Sequence, residues 1–271
     1  MISIAPRPHL NQISLIKRRN RNWFRHGVVA VLALIVASTV SGTDGIEQKT
    51  PAAMAYRVAR RTEAMSIDAN WDKPFWKGIT PISLEHYMGK QPEHRPMTHA
   101  KMTYDDEAVY VIFRVEDRYV RARATEHQKG VSQDSCVEFF FSPGPEVTAG
   151  YFYLEMNCGG TMLFRFNGPN NAVVEFKQED YGTMKIAHSL PNTVDPEIQD
   201  ALIWTLEYRL PLALLRKVCP VVSPGPGVVW RANFYKCADD SSHPHWLTWS
   251  PVENPDPYFH LPKFFGVLNF N

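Results

Sequence analysis

Two glutamates and a cluster of late aromatic rings are the residues of this sequence whose placement carries chemistry. Glu138 stands inside Ser135-Cys136-Val137-Glu138-Phe139-Phe140-Phe141, a run otherwise suited to burial. A carboxylate costs several kcal/mol to desolvate without a partner, so such a strand carries one where it is paired or where the face opens onto a ligand. Glu155 falls in the next apolar segment, Tyr151 to Asn157, on what should be the adjacent strand. A carboxylate pair can hold sugar hydroxyls. At a spacing of about 5–9 Å it can also act as the acid and base or nucleophile of a glycosidase, and that is an alternative reading of Glu138 and Glu155. Asn157 supplies an amide beside them.

The rings come later in the chain. His243-Pro244-His245-Trp246-Leu247-Thr248-Trp249 runs on through Pro255-Asp256-Pro257-Tyr258-Phe259-His260-Leu261-Pro262. Proline lowers the entropy cost of presenting a ring in one position. Rigidly held rings at Trp246, Trp249, Tyr258 and Phe259 would stack on the C–H face of a sugar, with Asp256 and the glutamates taking its hydroxyls. The plainer reading of any one ring is a cap on the end of the core. His243, His245 and His260 crowd the same region and are expected at the rim.

The elements that must position these groups read as β-structure. Ala100 to Tyr104, the acidic turn Asp105-Asp106-Glu107 and Ala108 to Val115 form a hairpin, since apolar residues alternate along its second arm. Ser135 to Phe141 and Tyr151 to Asn157 form a second, joined by Ser142-Pro143-Gly144-Pro145. Further strands are expected at Thr161 to Phe166, Thr183 to His188, Leu202 to Leu210, Val228 to Lys236 and Phe264 to Phe270. Pro191 to Asp200 and Pro220 to Gly227 read as loops. Leu212 to Val218, entered through Pro211, is the one stretch that reads as helix, because proline suits a first helical turn and leucine is a good helix former. The fold class is therefore all-β: an antiparallel sandwich with one short helix.

At 271 residues, 44% hydrophobic and 21% charged, the chain can bury a full core. A net charge of +1 argues against a nucleic-acid partner and fits a small neutral ligand. Lys17, Arg18, Arg19, Arg21 and Arg25 precede an apolar run from Val28 to Val40, followed by small and polar residues to Gly45. That run is shorter than the roughly 20 residues of a spanning helix, so a cleaved signal is expected rather than an anchor. The organisation expected is a signal over residues 1–42, a linker over 43–55 and the folded domain over 56–271, secreted or periplasmic, with no membrane association beyond the signal. Cys136, Cys158, Cys219 and Cys237 can then form up to two disulfides, with Cys136 to Cys158 favoured across the second hairpin and buried free thiols as the alternative. No CxxC or Cys/His spacing predicts a zinc site.

The order of several motifs resembles the family 9 carbohydrate-binding module and its DOMON-like relatives. Ile67-Asp68 through Trp71 and Trp76 resembles the opening acidic-then-tryptophan motif, and Thr103-Tyr104-Asp105-Asp106 with Val109-Tyr110-Val111 the hairpin motif, whose strand end is matched by Phe113-Arg114-Val115-Glu116-Asp117. Asp134-Ser135-Cys136-Val137-Glu138-Phe139-Phe140 is similar to the family's Asp-x-Val-Glu strand with one extra residue, and Phe259-His260-Leu261-Pro262-Lys263-Phe264-Phe265-Gly266 to its terminal motif.

The resemblance implies a jelly-roll-like β-sandwich that binds mono- or oligosaccharides, including those of plant or algal polysaccharides, between two rings. It implies no cleavage, and so a glycoside hydrolase as partner. Glu138 matches the family's ligand-binding glutamate and Phe259 the ring before the terminal proline. The other clamp tryptophan falls near Val131 or Ser132, so Trp246, Trp249 or Tyr258 must supply that face, and a family arginine falls near Glu155. It also implies a candidate structural calcium, for which Asp68, Asp72, Asp105 and Asp106 offer oxygens without EF-hand spacing. DOMON-like relatives imply haem binding as another alternative, with Met156, Met162 and His188 as candidate ligands. A surface interaction module without a small ligand is a third class.

Overall fold

A computed structural model describes residues 54–271 of the chain; the expected signal and nearly all of the expected linker lie outside the described residues. The strands are β1 (Ala55–Arg60), β2 (Ile82–Ser83), β3 (His86–Tyr87), β4 (Met97–Tyr104), β5 (Ala108–Asp117), β6 (Val120–Ala122), β7 (Cys136–Ser142) and β8 (Tyr151–Asn157). They continue as β9 (Met162–Asn167), β10 (Val173–Glu175), β11 (Lys185–His188), β12 (Val194–Ile198), β13 (Leu202–Pro211), β14 (Val229–Cys237), β15 (Trp246–Thr248) and β16 (Gly266–Phe270). The main path of hydrogen bonding runs β10-β9-β8-β7-β14-β16-β1-β4-β5-β13-β11, and a hydrophobic core lies between its two walls.

β1 joins the walls. Ala55 to Val58 pair in parallel with Val267 to Phe270 of β16, after which Ala59 and Arg60 pair in parallel with Thr103 and Tyr104 of β4. The sandwich is therefore antiparallel except along this strand, which begins at the last residue assigned to the linker. Both expected hairpins form, with Met97 to Glu116 and Cys136 to Asn157 as their open-end pairs. The segment 191–200, expected as loop, instead contributes β12, which pairs with β6. Its proline and acidic residues hid it, because a short edge ribbon tolerates both.

The expected helix over Leu212 to Val218 is shorter, α3 (Leu212–Leu215), and two more single-turn helices occur, α1 (Pro74–Lys77) and α2 (Gln178–Tyr181). Leu212, Leu214 and Leu215 are all buried, and the Leu212 amide donates to the Glu107 carbonyl at 2.8 Å, which ties this turn to the first hairpin.

Alternation along β7 sets the two faces of its wall. Val137, Phe139 and Phe141 point into the main core, where Phe139 stacks on Phe141 at 4.5 Å and on Phe234 at 4.7 Å. Cys136 and Phe140 turn to the opposite face, where a second apolar cluster gathers Tyr151 and Tyr153 of β8, Tyr235 and Cys237 of β14, and Phe259. The disulfide favoured between Cys136 and Cys158 is thereby excluded: Cys158 lies in the core and Cys136 on the far face. All four cysteines are free thiols.

One charged group crosses the core. Lys236 of β14 is fully buried with its ammonium 3.6 Å from Asp117 Oδ2, and it donates to His245 Nε2 at 2.7 Å. Asp117 also accepts from Trp204 Nε1 at 3.3 Å and is bonded to His94 at 2.7 Å. Although burial works against its ionised form, Lys236 and His94 hold the Asp117 carboxyl at about 2, whereas burial and Lys236 push His245 down to about 3. This pairing links the last strand of the first hairpin to β14.

Three of the four acidic residues weighed as calcium ligands pair with protein cations. Asp68 pairs with Lys73 at 2.7 Å, Asp105 with Arg61 at 3.1 Å and Asp106 with Arg60 at 2.6 Å; Asp72 is exposed. The candidate haem ligands are also occupied locally. Met156 and Met162 are register partners packed in the core, and the His188 ring is bonded to the Leu190 carbonyl.

Candidate functional site

The outer face of the β8-β7-β14 wall carries a cavity of about 150 Å³. Its floor is Glu138 and Phe140 of β7, Glu155 of β8 and Cys237 of β14; Ser132, Asp239, Trp246 and Pro257 to His260 form its sides. Register brings the floor together. Glu138 is the pairing partner of Glu155 on one side and of Tyr235 on the other. Neighbouring strands lie about 4.8 Å apart, so three strands suffice to gather these groups.

Glu138 is 2% exposed. Its Oε1 accepts from the Cys237 thiol at 3.1 Å, and its Oε2 is buried with no hydrogen-bond partner. Burial, then Cys237 and Glu155, raise its carboxyl well above the usual range. Burial and Asp239 raise Glu155 to about 7, against the pull of Arg165. Asp239 is raised as well, chiefly by burial, although its Oδ1 accepts from Trp246 Nε1 at 2.7 Å. Three carboxyl groups thus share one small desolvated space, where each can accept a hydrogen bond from a polyol hydroxyl and, while it keeps its proton, donate one.

The aromatic residues divide into floor and rim. Phe259 is nearly buried, stacked on Tyr235 at 4.1 Å with 13° between planes. Trp246 is half-buried, and Tyr258 is 53% exposed, so these two rings remain open to a ligand. His260 lies against Phe140 and Tyr153 and is bonded to the Tyr151 hydroxyl at 3.1 Å. Burial pushes it down to about 4, so it is neutral near pH 7.

Of the residues expected at the site, Glu138, Glu155, Trp246, Tyr258 and Phe259 meet at this cavity and three others lie elsewhere. Asn157 spends its amide on the Ala124 carbonyl and Asp134, both at 3.0 Å. Trp249 is 3% exposed and packs edge-on to Phe234 in the main core. Asp256 is exposed on the loop before Pro257 and does not line the cavity. Among the expected rim histidines only His260 lines it; His245 is buried against Lys236, and His243 stacks on Tyr119 at 3.7 Å. Asp239 and Cys237 were missed, since a lone acid in a turn and a strand-end cysteine have no local signature. Ser132 does line the cavity, at the position where a clamp ring would fall.

Comparison with known proteins bears on this arrangement. The sequence model of a family described as carbohydrate-binding family 9 matches residues 78–270. The chain belongs to that family. A solved structure of a candidate carbohydrate-binding protein from Bacteroides uniformis is similar to this family 9 member at 28% identity and a TM-score of 0.73, covering 81% of this chain and 100% of that one. A family 9 module from Caldicellulosiruptor kristjanssonii, solved with cellotriose, shares the fold at 15% identity and a TM-score of 0.56, over 80% of this chain and 93% of that one. The module from the same organism solved with glucose gives 16% identity and a TM-score of 0.54, over 80% and 96%. No protein of curated function matches the sequence. The fold expected of a family 9 member, an all-β sandwich, is the fold observed.

Proposed function

We propose that this family 9 member is an exported, non-catalytic carbohydrate-binding protein whose saccharide enters the cavity between Trp246 and Tyr258. The observation that carries the reading is the buried, unpartnered Glu138 Oε2 in a cavity whose rim holds two open rings. A hydroxyl donating to that oxygen would satisfy an acceptor that otherwise sits desolvated, while Trp246 or Tyr258 covers a C–H face of the sugar. Glu155 and Asp239 take further hydroxyls.

A hollow of about 380 Å³ lined by Tyr151, Asn167 and Pro169 shares Tyr258 and His260 with the cavity, which gives room for a second sugar unit. The relatives solved with glucose and cellotriose make those two saccharides the first to try. A partner glycoside hydrolase would supply cleavage. No helix among the described residues is long and apolar enough to cross a membrane.

Calorimetry with glucose, cellobiose, cellotriose and a panel of plant and algal oligosaccharides tests the reading. Binding on the order of micromolar to millimolar is expected, since hydroxyls exchange water for protein at little net gain. It should weaken in both Glu138→Gln and Trp246→Ala. Equal heats from all three proteins would place the ligand elsewhere, and saccharide turnover lost in Glu138→Gln would replace binding with hydrolysis.

A further inference from the structure

Cys136, Glu138 and Cys237 converge behind the cavity floor, with two sulfurs and a carboxylate oxygen all within 4.8 Å of one another. The convergence follows from register: Cys136 pairs with Cys237 across β7 and β14, and Glu138 stands two residues along the same face. All three are almost completely buried. In a tetrahedral zinc site sulfur ligands lie about 2.3 Å and carboxylate oxygens about 2.0–2.2 Å from the ion, so the ligand atoms stand roughly 3.5–3.8 Å apart. From separations of at most 4.8 Å, with Cys237 Sγ and Glu138 Oε1 at 3.1 Å, shifts on the order of an ångström reach that spacing.

We propose that Cys136, Cys237 and Glu138 bind a thiophilic divalent ion, with zinc as the type case, leaving its fourth position open to the cavity. One observation beyond the spacing of the cluster points to a ligand: Glu138 Oε2 is buried without a partner. The Cys136 thiol meets the Val137 carbonyl at 3.6 Å and, within the cluster, the Cys237 thiol. The site is built from two soft sulfurs and one oxygen, a set that suits zinc over calcium or magnesium. Glu138 and Cys237 line the cavity, so a water or a saccharide hydroxyl can complete the coordination. The proposal does not depend on sugar binding.

Loading is an exchange of protons for metal. Two S–H bonds and the O–H bond of the Glu138 carboxyl break, two metal–sulfur bonds and one metal–oxygen bond form, and the protons leave to the buffer with no change of oxidation state. Because the ligating groups must give up their protons to bind, affinity rises with pH. Oxidation of the same pair to a disulfide is the competing fate. It would remove the thiol that donates to Glu138 Oε1 and leave both oxygens of a buried carboxyl without a partner, an arrangement that is costly.

Cobalt(II) added to the full chain, held reduced by a phosphine under anaerobic conditions, tests this directly. The expected result is a sulfur-to-cobalt charge-transfer band in the near ultraviolet with intense tetrahedral visible absorption, both abolished by one equivalent of zinc. Cys136→Ser, Cys237→Ser and Glu138→Gln should each weaken binding by about tenfold or more, while Cys219→Ser leaves it unchanged. A reduced wild-type protein without the band overturns the proposal, whatever the variants do. A band retained in full by Cys136→Ser, or a Cys136–Cys237 disulfide in protein isolated anaerobically, overturns it equally.

Discussion

Glu138 lies directly opposite Glu155 across two adjacent antiparallel strands, both side chains on one face and both nearly buried. Like charges in that relation repel, and burial adds to the cost of ionising either. Folding therefore favours their protonated forms.

The first prediction is a stability that falls with pH. Glu155 rises in the folded state from 4.5 to about 7, and Glu138 rises too. Between those values the folded chain keeps protons that the unfolded chain has lost, so its stability declines as pH increases through the window. At about 1.4 kcal/mol per unit, the effect from Glu155 is on the order of a few kcal/mol, with Glu138 and Asp239 adding to it and Arg165 opposing. Urea unfolding at pH 5 and pH 7 should show the decline in the wild type and a flatter profile in Glu155→Gln. Parallel profiles would mean that Glu155 ionises normally.

Trp246 and Trp249, three residues apart, should separate binding from folding. Trp246→Ala removes a half-buried rim ring and should weaken saccharide binding with little change in melting temperature. Trp249→Ala empties a core position and should cost about 3–5 kcal/mol, with the site intact in the fraction that folds. Thermal melts paired with calorimetry distinguish the two, and similar losses of stability in both variants would contradict the division into rim and core.

Lys236→Met should cost about 3–5 kcal/mol, because it takes the buried ammonium from beside the Asp117 carboxylate, which keeps only His94 and Trp204 as side-chain partners. Adding Asp117→Asn should recover part of that loss. Denaturant midpoints of the single and double variants measure the coupling, and purely additive effects would show that the pair is not an energetic unit.

Gly159→Ala should also destabilise the protein. A Cβ at this turn between β8 and β9 would overlap the Asn192 carbonyl, forcing the 191–200 segment away from its place. The check is a melting temperature lowered by several degrees, with the Gly182→Ala control, where the nearest atom is 3.7 Å away, close to wild type.

What could be read from the sequence follows physical range. The two hairpins were legible because alternation along Val109 to Val115 and the acidic turn before it are local signals. Glu138 was legible for the same reason: one charged residue among phenylalanines stands out in any frame. Its contact with Cys237 was not, since nothing in either segment says that β7 and β14 are neighbours. Asn157 and Trp249 had the right chemistry in the right stretch, but their side chains serve Asp134 and Phe234 instead. The short strand at Val194 to Ile198 was hidden by its proline, and β1 by a topology in which a strand's partners come from the opposite end of the chain.

That last feature governs how the protein comes into being. Residues 55–58 can be zipped in only when the final strand, about two hundred positions later in synthesis, is available to receive them. Until then the apolar inner surface of the early hairpin has no opposing wall. Seams formed between such distant stretches close slowly, so a nascent chain should depend on a chaperone or on prompt completion to escape clumping, and the loss of the last five residues should be felt at the first.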